Sequence, residues 1–347
     1  MPDSYCPGSP LTLAIMDQEH AQPTCDSAAE ATALLDVLGV PQGLAKSKTS
    51  KVNQSVNDVL AQLVNRITRN AHLSGYATGF DKLDRLTNGL KPGDMFVIAS
   101  RPNMGKTTLM LNIVETVCIG QEVPTLIFSC RMTAFEIVQS ILFSLAKFSL
   151  NELWFGYRLT KGELLRIRRA ATTAASARLF VDDTACLTID TLCAEARRRK
   201  DEDDIRFIAI DNLNILKPNL THPQESRECE ISQISASLKS LAKELSIPIL
   251  VLAQLNHRPA SRGDGRDIPH ISDLRDCGSI EHDADMIALL HRPAHYAETE
   301  EERQALMHRA DLILAQNRHG PTGHQSLDFF SDIGRFEDHS FEEEPLE

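Results

Sequence analysis

A chain of 347 residues with 42% hydrophobic and 24% charged residues has the composition of a globular protein able to bury one large core or two. No uninterrupted apolar run approaches the ~20 residues of a bilayer span. No basic segment followed by an apolar stretch opens the chain, so neither a membrane partner nor a secretory signal is expected. The eight cysteines form no C-x-x-C pair, which argues against zinc and suits a reducing cytoplasm, with Cys118 and Cys130 as core thiols. The net charge of −12 lies partly in tails such as Glu342-Glu343-Glu344, so a surface that met nucleic acid would be a confined basic patch.

Residues 1–50 are rich in Pro, Ser, Thr and Ala, with one helical patch around Ala28–Leu38, and read as a mostly disordered tail. Residues 51–72 place Val52, Val56, Val59, Leu60, Leu63, Val64 and Ile67 on one stripe at helical spacing. This is an amphipathic linker helix whose stripe needs a partner, on its own domain or on a neighbouring subunit. The main domain spans 73–337, and an acidic tail, 338–347, follows. Within the domain, apolar runs fall at Met95–Ala99, Thr125–Ser129, Leu179–Val181, Ile205–Ile210, Ile247–Ala253, Met286–Leu290 and Leu312–Ala315. Helical patterns at 106–118, 134–147, 161–175, 188–200 and 225–245 separate many of them. The expectation is an α/β fold with a mainly parallel central sheet covered on both faces.

The segment Ser100-Arg101-Pro102-Asn103-Met104-Gly105-Lys106-Thr107-Thr108 follows the first of these runs and opens the first helical pattern. It is a phosphate-binding loop in its proper strand–loop–helix context. Backbone N–H groups of the turn and helix start converge on an anion, and Gly105 lets the chain wrap it. Lys106 is placed to reach the β- and γ-phosphates, and Thr107 to ligate Mg²⁺. Ser100 stands where the general pattern has its first glycine. A nucleoside triphosphate, ATP, and Mg²⁺ are the expected ligands.

Arg206–Asp211 is an apolar strand ending in a carboxylate, placing Asp211 as the second Mg²⁺ residue opposite Thr107. The next strand ends in Gln254, beside the ligand crevice of a parallel sheet, where an amide can report on a γ-phosphate or simply sit at the surface.

Residues 273–287, DLRDCGSIEHDADMI, resemble the signature of DnaB-type replicative helicases, which are RecA-like ring motors. Four further segments agree: TGFDKLDRLTNGLKPGDMFVIASRP (78–102), LIFSCRM (126–132), SLKSLAKELSIPILVLAQLN (238–256) and LILAQNRHGPTG (312–323). The resemblance covers about 52–337 and implies a RecA-like P-loop NTPase that hydrolyses ATP, a homo-oligomeric hexameric ring, single-stranded DNA in the channel and a role in DNA replication. A helicase loader or primase is the further partner it suggests. By the same resemblance Arg275, Asp276 and Gly278 touch DNA phosphates, largely through the backbone. Arg318 falls at the arginine finger that enters the adjacent subunit's ATP site, and the linker helix docks on a neighbour.

Three departures stand out. Where the family has a water-orienting glutamate, this chain has Arg131, which cannot accept a proton. A lysine two residues before the finger is Gln316, and the family's usual amino-terminal domain is replaced by some fifty residues of expected coil. Asn212 and Asn214 stand for tyrosine and glutamine. Glu136, one turn beyond Arg131, is an alternative water-positioning carboxylate. Two rival readings stay open: an ATP-binding, hydrolysis-impaired paralogue acting as a structural or regulatory subunit, and a RecA- or RadA-like recombination ATPase, although the four-cysteine zinc site usual in RadA is lacking.

Overall fold

The computed structural model describes residues 73–149, 159–217, 227–255 and 268–339. The expected tail at 1–50, the linker helix at 51–72 and residues 340–347 of the acidic tail lie outside the described residues. In chain order the elements are α1 (Asp81–Thr87), β1 (Met95–Ser100), α2 (Lys106–Val114), β2 (Thr125–Ser129) and α3 (Ala134–Ala146). Then come α4 (Lys161–Ser176), β3 (Leu179–Asp182), α5 (Ile189–Asp203), β4 (Phe207–Asp211), α6 (Arg227–Leu245) and β5 (Ile249–Gln254). The last are α7 (Gly278–Asp283), β6 (Met286–His291), α8 (Glu300–Ala305), β7 (Arg309–Asn317), β8 (Gly323–Phe330) and β9 (Arg335–Asp338).

The strands form one nine-stranded sheet in the order β3-β2-β4-β5-β1-β6-β7-β8-β9. Its first six strands pair in parallel, as the continuous apolar runs require when both faces are covered. Every residue of β1 is buried, and alternate residues serve opposite faces. Met95, Val97 and Ala99 pack with α5 and α6, through Leu192, Ile234 and Leu238. Phe96 and Ile98 pack with α2 and α3, through Leu109, Ile113, Ile137 and Ile141. Period-two side-chain alternation thus gives each strand a stake in two cores.

Strands β7, β8 and β9 extend the sheet antiparallel. The expectation of a mainly parallel sheet holds, with this antiparallel edge added. In β8 burial alternates, with Gln325, Leu327 and Phe329 inward, the pattern of a strand with only one covered face. The helix expected over 106–118 is α-helical only to Val114 and passes into a π-helical turn, Glu115–Gly120. No helix among the described residues is long and apolar enough to cross a membrane.

Candidate active site

The strand-to-helix turn after β1 is set by backbone conformation. Asn103 and Gly105 both take positive φ, 62° and 91°. At Gly105 a Cβ would lie 3.1 Å from the Phe336 ring, so conformation and space both demand glycine. Ser100, by contrast, is the last residue of β1 and pairs with Gln254 and Leu290 in regular extended geometry. Its hydroxyl donates to the Arg101 carbonyl (2.9 Å), and its own carbonyl accepts from Leu255 N–H (2.9 Å). A glycine is not required at that position, because the backbone there never leaves the strand.

Of the other loop residues, Met104 is buried in the core under α2, and Asn103 is exposed. Pro102 is half-buried. Arg101 donates from Nη1 to the Tyr296 hydroxyl (2.8 Å), with its guanidinium 5.2 Å from that ring's centre. Its side chain therefore pins the loop to the turn Pro293–Tyr296. Tyr296 was not legible as a site residue.

Lys106 begins α2 and is 5% exposed. Burial pulls its ammonium below the ordinary lysine range; Asp211 opposes this, while the Arg131 charge adds to it. Thr107 Oγ1 donates to Asp211 Oδ2 (2.7 Å), and Asp211 is 1% exposed. The other carboxylate oxygen, Asp211 Oδ1, is buried with no hydrogen-bond partner. Leaving a buried carboxylate oxygen unpaired is costly, and a hydroxyl, a carboxylate and a nearby ammonium are the donor set of a Mg²⁺–phosphate site. The residues fit that group.

Neighbouring strand ends complete the arrangement. Ser129 of β2 pairs with Asp211, and Cys130 N–H donates to the Asp211 carbonyl (2.8 Å). Burial, Asp211 and Asp182 push the Cys130 thiol up to about 11, so it is a neutral thiol rather than a nucleophile. Arg131 follows on the exposed turn, its charge felt at Lys106. Glu136 is engaged elsewhere: its carboxylate accepts from Thr133 N–H (2.8 Å) and Thr133 Oγ1 (3.0 Å) in the capping box of α3. The Thr-x-x-Glu spacing carried that signal in the sequence. Gln254 ends β5 beside Ser100, and its N–H donates to Asn214 Oδ1 (2.8 Å). Asn214 therefore ties the segment after the Asp211 strand to the Gln254 strand.

Beside the loop a cavity of about 300 Å³ opens between Thr107, Thr108 and Asn112 of α2 and the β8–β9 turn at Ser331–Gly334. Asn112 holds that turn through Phe336 N–H (2.9 Å) and the Gly334 carbonyl (3.3 Å). Glu115 adds an ion pair to Arg335 (2.9 Å).

Arg318 lies away from all of this. Asn317 pairs with Met286, and Met286 with Phe96, so the end of β7 adjoins the start of β1. Arg318 N–H donates to the Asp285 carbonyl (2.9 Å), and its guanidinium to the His282 carbonyl. Gln316 Nε2 donates to the carbonyls of Glu281 and Ala284 (both 3.0 Å). Both side chains thus satisfy carbonyls at the C-terminal end of α7. Arg275 and Asp276 sit in the 3₁₀ turn Ile271–Cys277, and Gly278 is the first residue of α7; the side chains of 275–278 lie outside the described residues.

Comparison with known proteins agrees with this architecture. The family described as DnaB-like helicase C-terminal domain matches residues 75–338. The replicative DNA helicase DnaB of Geobacillus stearothermophilus is 33% identical over 297 residues, 84% of this chain and 64% of that protein. DnaB of Haemophilus influenzae is 36% identical over 282 residues, 81% of this chain and 58% of that protein. The chain thus spans less than two thirds of these relatives' length. Among solved structures, one described as an ATPase domain superposes with a TM-score of 0.73 at 27% identity, covering 82% of this chain and 99% of that one. A DnaB-like replicative helicase, described with its interactions with primase, gives 0.71 at 25% identity, covering 90% and 72%. These matches confirm the RecA-like fold and do not favour the recombination-ATPase or regulatory-subunit readings.

Proposed function

We propose that this chain, which belongs to the DnaB-like helicase C-terminal domain family, is the ATP-hydrolysing motor of a DNA helicase that works as a hexameric ring on single-stranded DNA in replication. The observation that carries the reading is the opposed placement of two half-sites on one sheet. Lys106, Thr107 and Asp211 lie at the Ser100 end of β1, and Arg318 lies at the Met95 end. The six residues of β1 separate these ends by about 16 Å. Within one chain Arg318 does not complete the phosphate site, whereas the next subunit of a ring can be served by it.

In this reading Lys106 neutralises the β- and γ-phosphates of ATP, and Arg318 supplies charge from the neighbour. Thr107 and Asp211 hold Mg²⁺, which when bound neutralises phosphate oxygens. Gln254 stands where loss of the γ-phosphate is sensed, and the chain runs on from it towards 271–278. There Arg275, Asp276 and Gly278 grip DNA phosphates, which suits tracking without regard to sequence. A primase or a helicase loader is the protein partner proposed.

Light scattering with Mg²⁺ and ATP, followed by fluorescence-anisotropy titration of single- and double-stranded oligonucleotides, tests the proposal. A ring-sized species that prefers single strands and loses affinity steeply with salt is expected. A persistent monomer, or sequence-selective duplex binding that tolerates high salt, contradicts it.

A further inference from the structure

At the far end of β1, Asp94, Asp285 and His319 converge from three distant segments, with one donor atom from each lying within 4.8 Å of the others. We propose that these three side chains form a divalent-cation site of the nitrogen–oxygen kind that zinc accepts. The expectation against zinc rested on cysteine spacing and does not touch a histidine–carboxylate set.

His319 Nε2 stands 3.5 Å from Asp94 Oδ1 and 3.9 Å from Asp285 Oδ1. Donors at zinc's usual ~2.0–2.1 Å bond length in a tetrahedral array lie about 3.3 Å apart, so His319 must close by about 0.2 Å on Asp94 and about 0.6 Å on Asp285. Asp94 and Asp285 are 8% and 4% exposed, and Asp94 Oδ2 is buried without a hydrogen-bond partner. Lys239 Nζ donates to Asp285 Oδ2 (2.5 Å) and to the Gly93 carbonyl (2.8 Å). Two carboxylates and one ammonium leave one buried negative charge. Burial, and after it the Asp285 charge, push the Asp94 carboxyl above its ordinary range; His319, Lys91 and Lys239 oppose this more weakly. A bound cation removes that conflict.

The surroundings hold the donors in place. Met95 N–H donates to Asp285 Oδ2 (2.7 Å), which together with Lys239 leaves Oδ1 turned to His319. His319 N–H donates to Asn317 Oδ1 (3.1 Å), and the Asn317 amide donates to the Leu86 and Pro321 carbonyls (both 3.0 Å). The His319 side chain is 47% exposed, which leaves a solvent route and a coordination position for water. His319 directly follows Arg318, so a cation here fastens the residue beside the candidate finger to the start of β1.

The test is a titration of the full-length chain with Co²⁺ and then Zn²⁺, by absorption and calorimetry, alongside His319→Asn and Asp94→Asn. One equivalent of Co²⁺ giving visible bands without a near-ultraviolet thiolate band, displaced by Zn²⁺, is expected. Each substitution should weaken that equivalent at least about tenfold. Zinc at a hundredfold excess over its dissociation constant should raise the melting temperature of the unmodified chain by about 5 °C and leave His319→Asn unmoved. His319 is half-exposed, so that variant folds even where Asp94→Asn does not. No bound equivalent, thiolate bands alone, or equal affinity in His319→Asn overturns the proposal. Those outcomes leave the phosphate site untouched, because it lies at the other end of the strand.

Discussion

Arg131→Glu is expected to raise the rate of ATP hydrolysis. The charges felt at Lys106 are the Arg131 guanidinium and the Asp211 carboxylate, and Asp211 is already bonded to Thr107. The Glu136 carboxylate accepts from Thr133 in the cap of α3, so the prediction rests on position 131. A positioned general base contributes about 10²–10⁴ in rate, or about 3–5 kcal/mol of barrier. Gln316 limits the recovery, since its amide is bound to the end of α7 and carries no charge to a neighbouring subunit. A gain near the lower figure, about a hundredfold, is the expectation. Arg131 is exposed, so its replacement should alter stability by no more than about 0.5 kcal/mol, and the rate change will not be a folding effect. The assay is steady-state phosphate release at saturating Mg²⁺–ATP with single-stranded DNA, with Arg131→Gln as the control that removes charge without adding a base. Vigorous turnover by the unmodified chain, an unmoved rate in Arg131→Glu, or an equal gain in Arg131→Gln would refute the reasoning.

Three other substitutions probe separate parts of the structure. Gly105→Ala should weaken nucleotide binding in calorimetry about 5- to 30-fold, because a positive φ costs a side chain about 1–2 kcal/mol and the new Cβ meets Phe336 at 3.1 Å. Asp84→Ala should lower unfolding free energy in urea by about 2–4 kcal/mol at pH 5, since it strands the buried N–H and hydroxyl of Thr78 (both 2.8 Å from Asp84 Oδ1). Burial raises the Asp84 pKa above its unfolded value, so the native state binds the extra proton. Stability from that group is thus present at low pH and lost as pH climbs through the raised pKa; Asp84→Asn should flatten this slope. Gly278→Asp should weaken single-stranded DNA binding in anisotropy by setting a carboxylate against the phosphates, and unchanged affinity would remove residue 278 from the DNA path.

The parallel half of the sheet was legible because its strands are buried on both faces: β1 is an unbroken apolar run. The phosphate loop was legible because Gly105, Lys106 and Thr107 are contiguous and flanked by the right elements. Strands β8 and β9 escaped notice. Inward Gln325, Leu327 and Phe329 alternate with polar neighbours, and Gln325 is a buried amide whose Oε1 accepts from Leu83 N–H (2.8 Å) rather than an apolar residue. Contacts between distant segments left no local trace. Arg101 and Tyr296 are 195 positions apart, and Gln254 and Asn214 are 40 apart. Glu136 is the instructive case: the residue was noticed for its charge, while its spacing from Thr133 already described a helix cap.

A DNA-driven ATPase completed between subunits is tested by ATP turnover of the chain with and without single-stranded DNA, beside Lys106→Ala and Arg318→Ala. Turnover stimulated by single-stranded DNA and lost in both variants is expected, with activity partly restored when the two inactive proteins are mixed, because an intact Lys106 site then meets an intact Arg318 from its neighbour. Turnover indifferent to DNA, or an Arg318→Ala protein as active as the unmodified chain, would contradict the account.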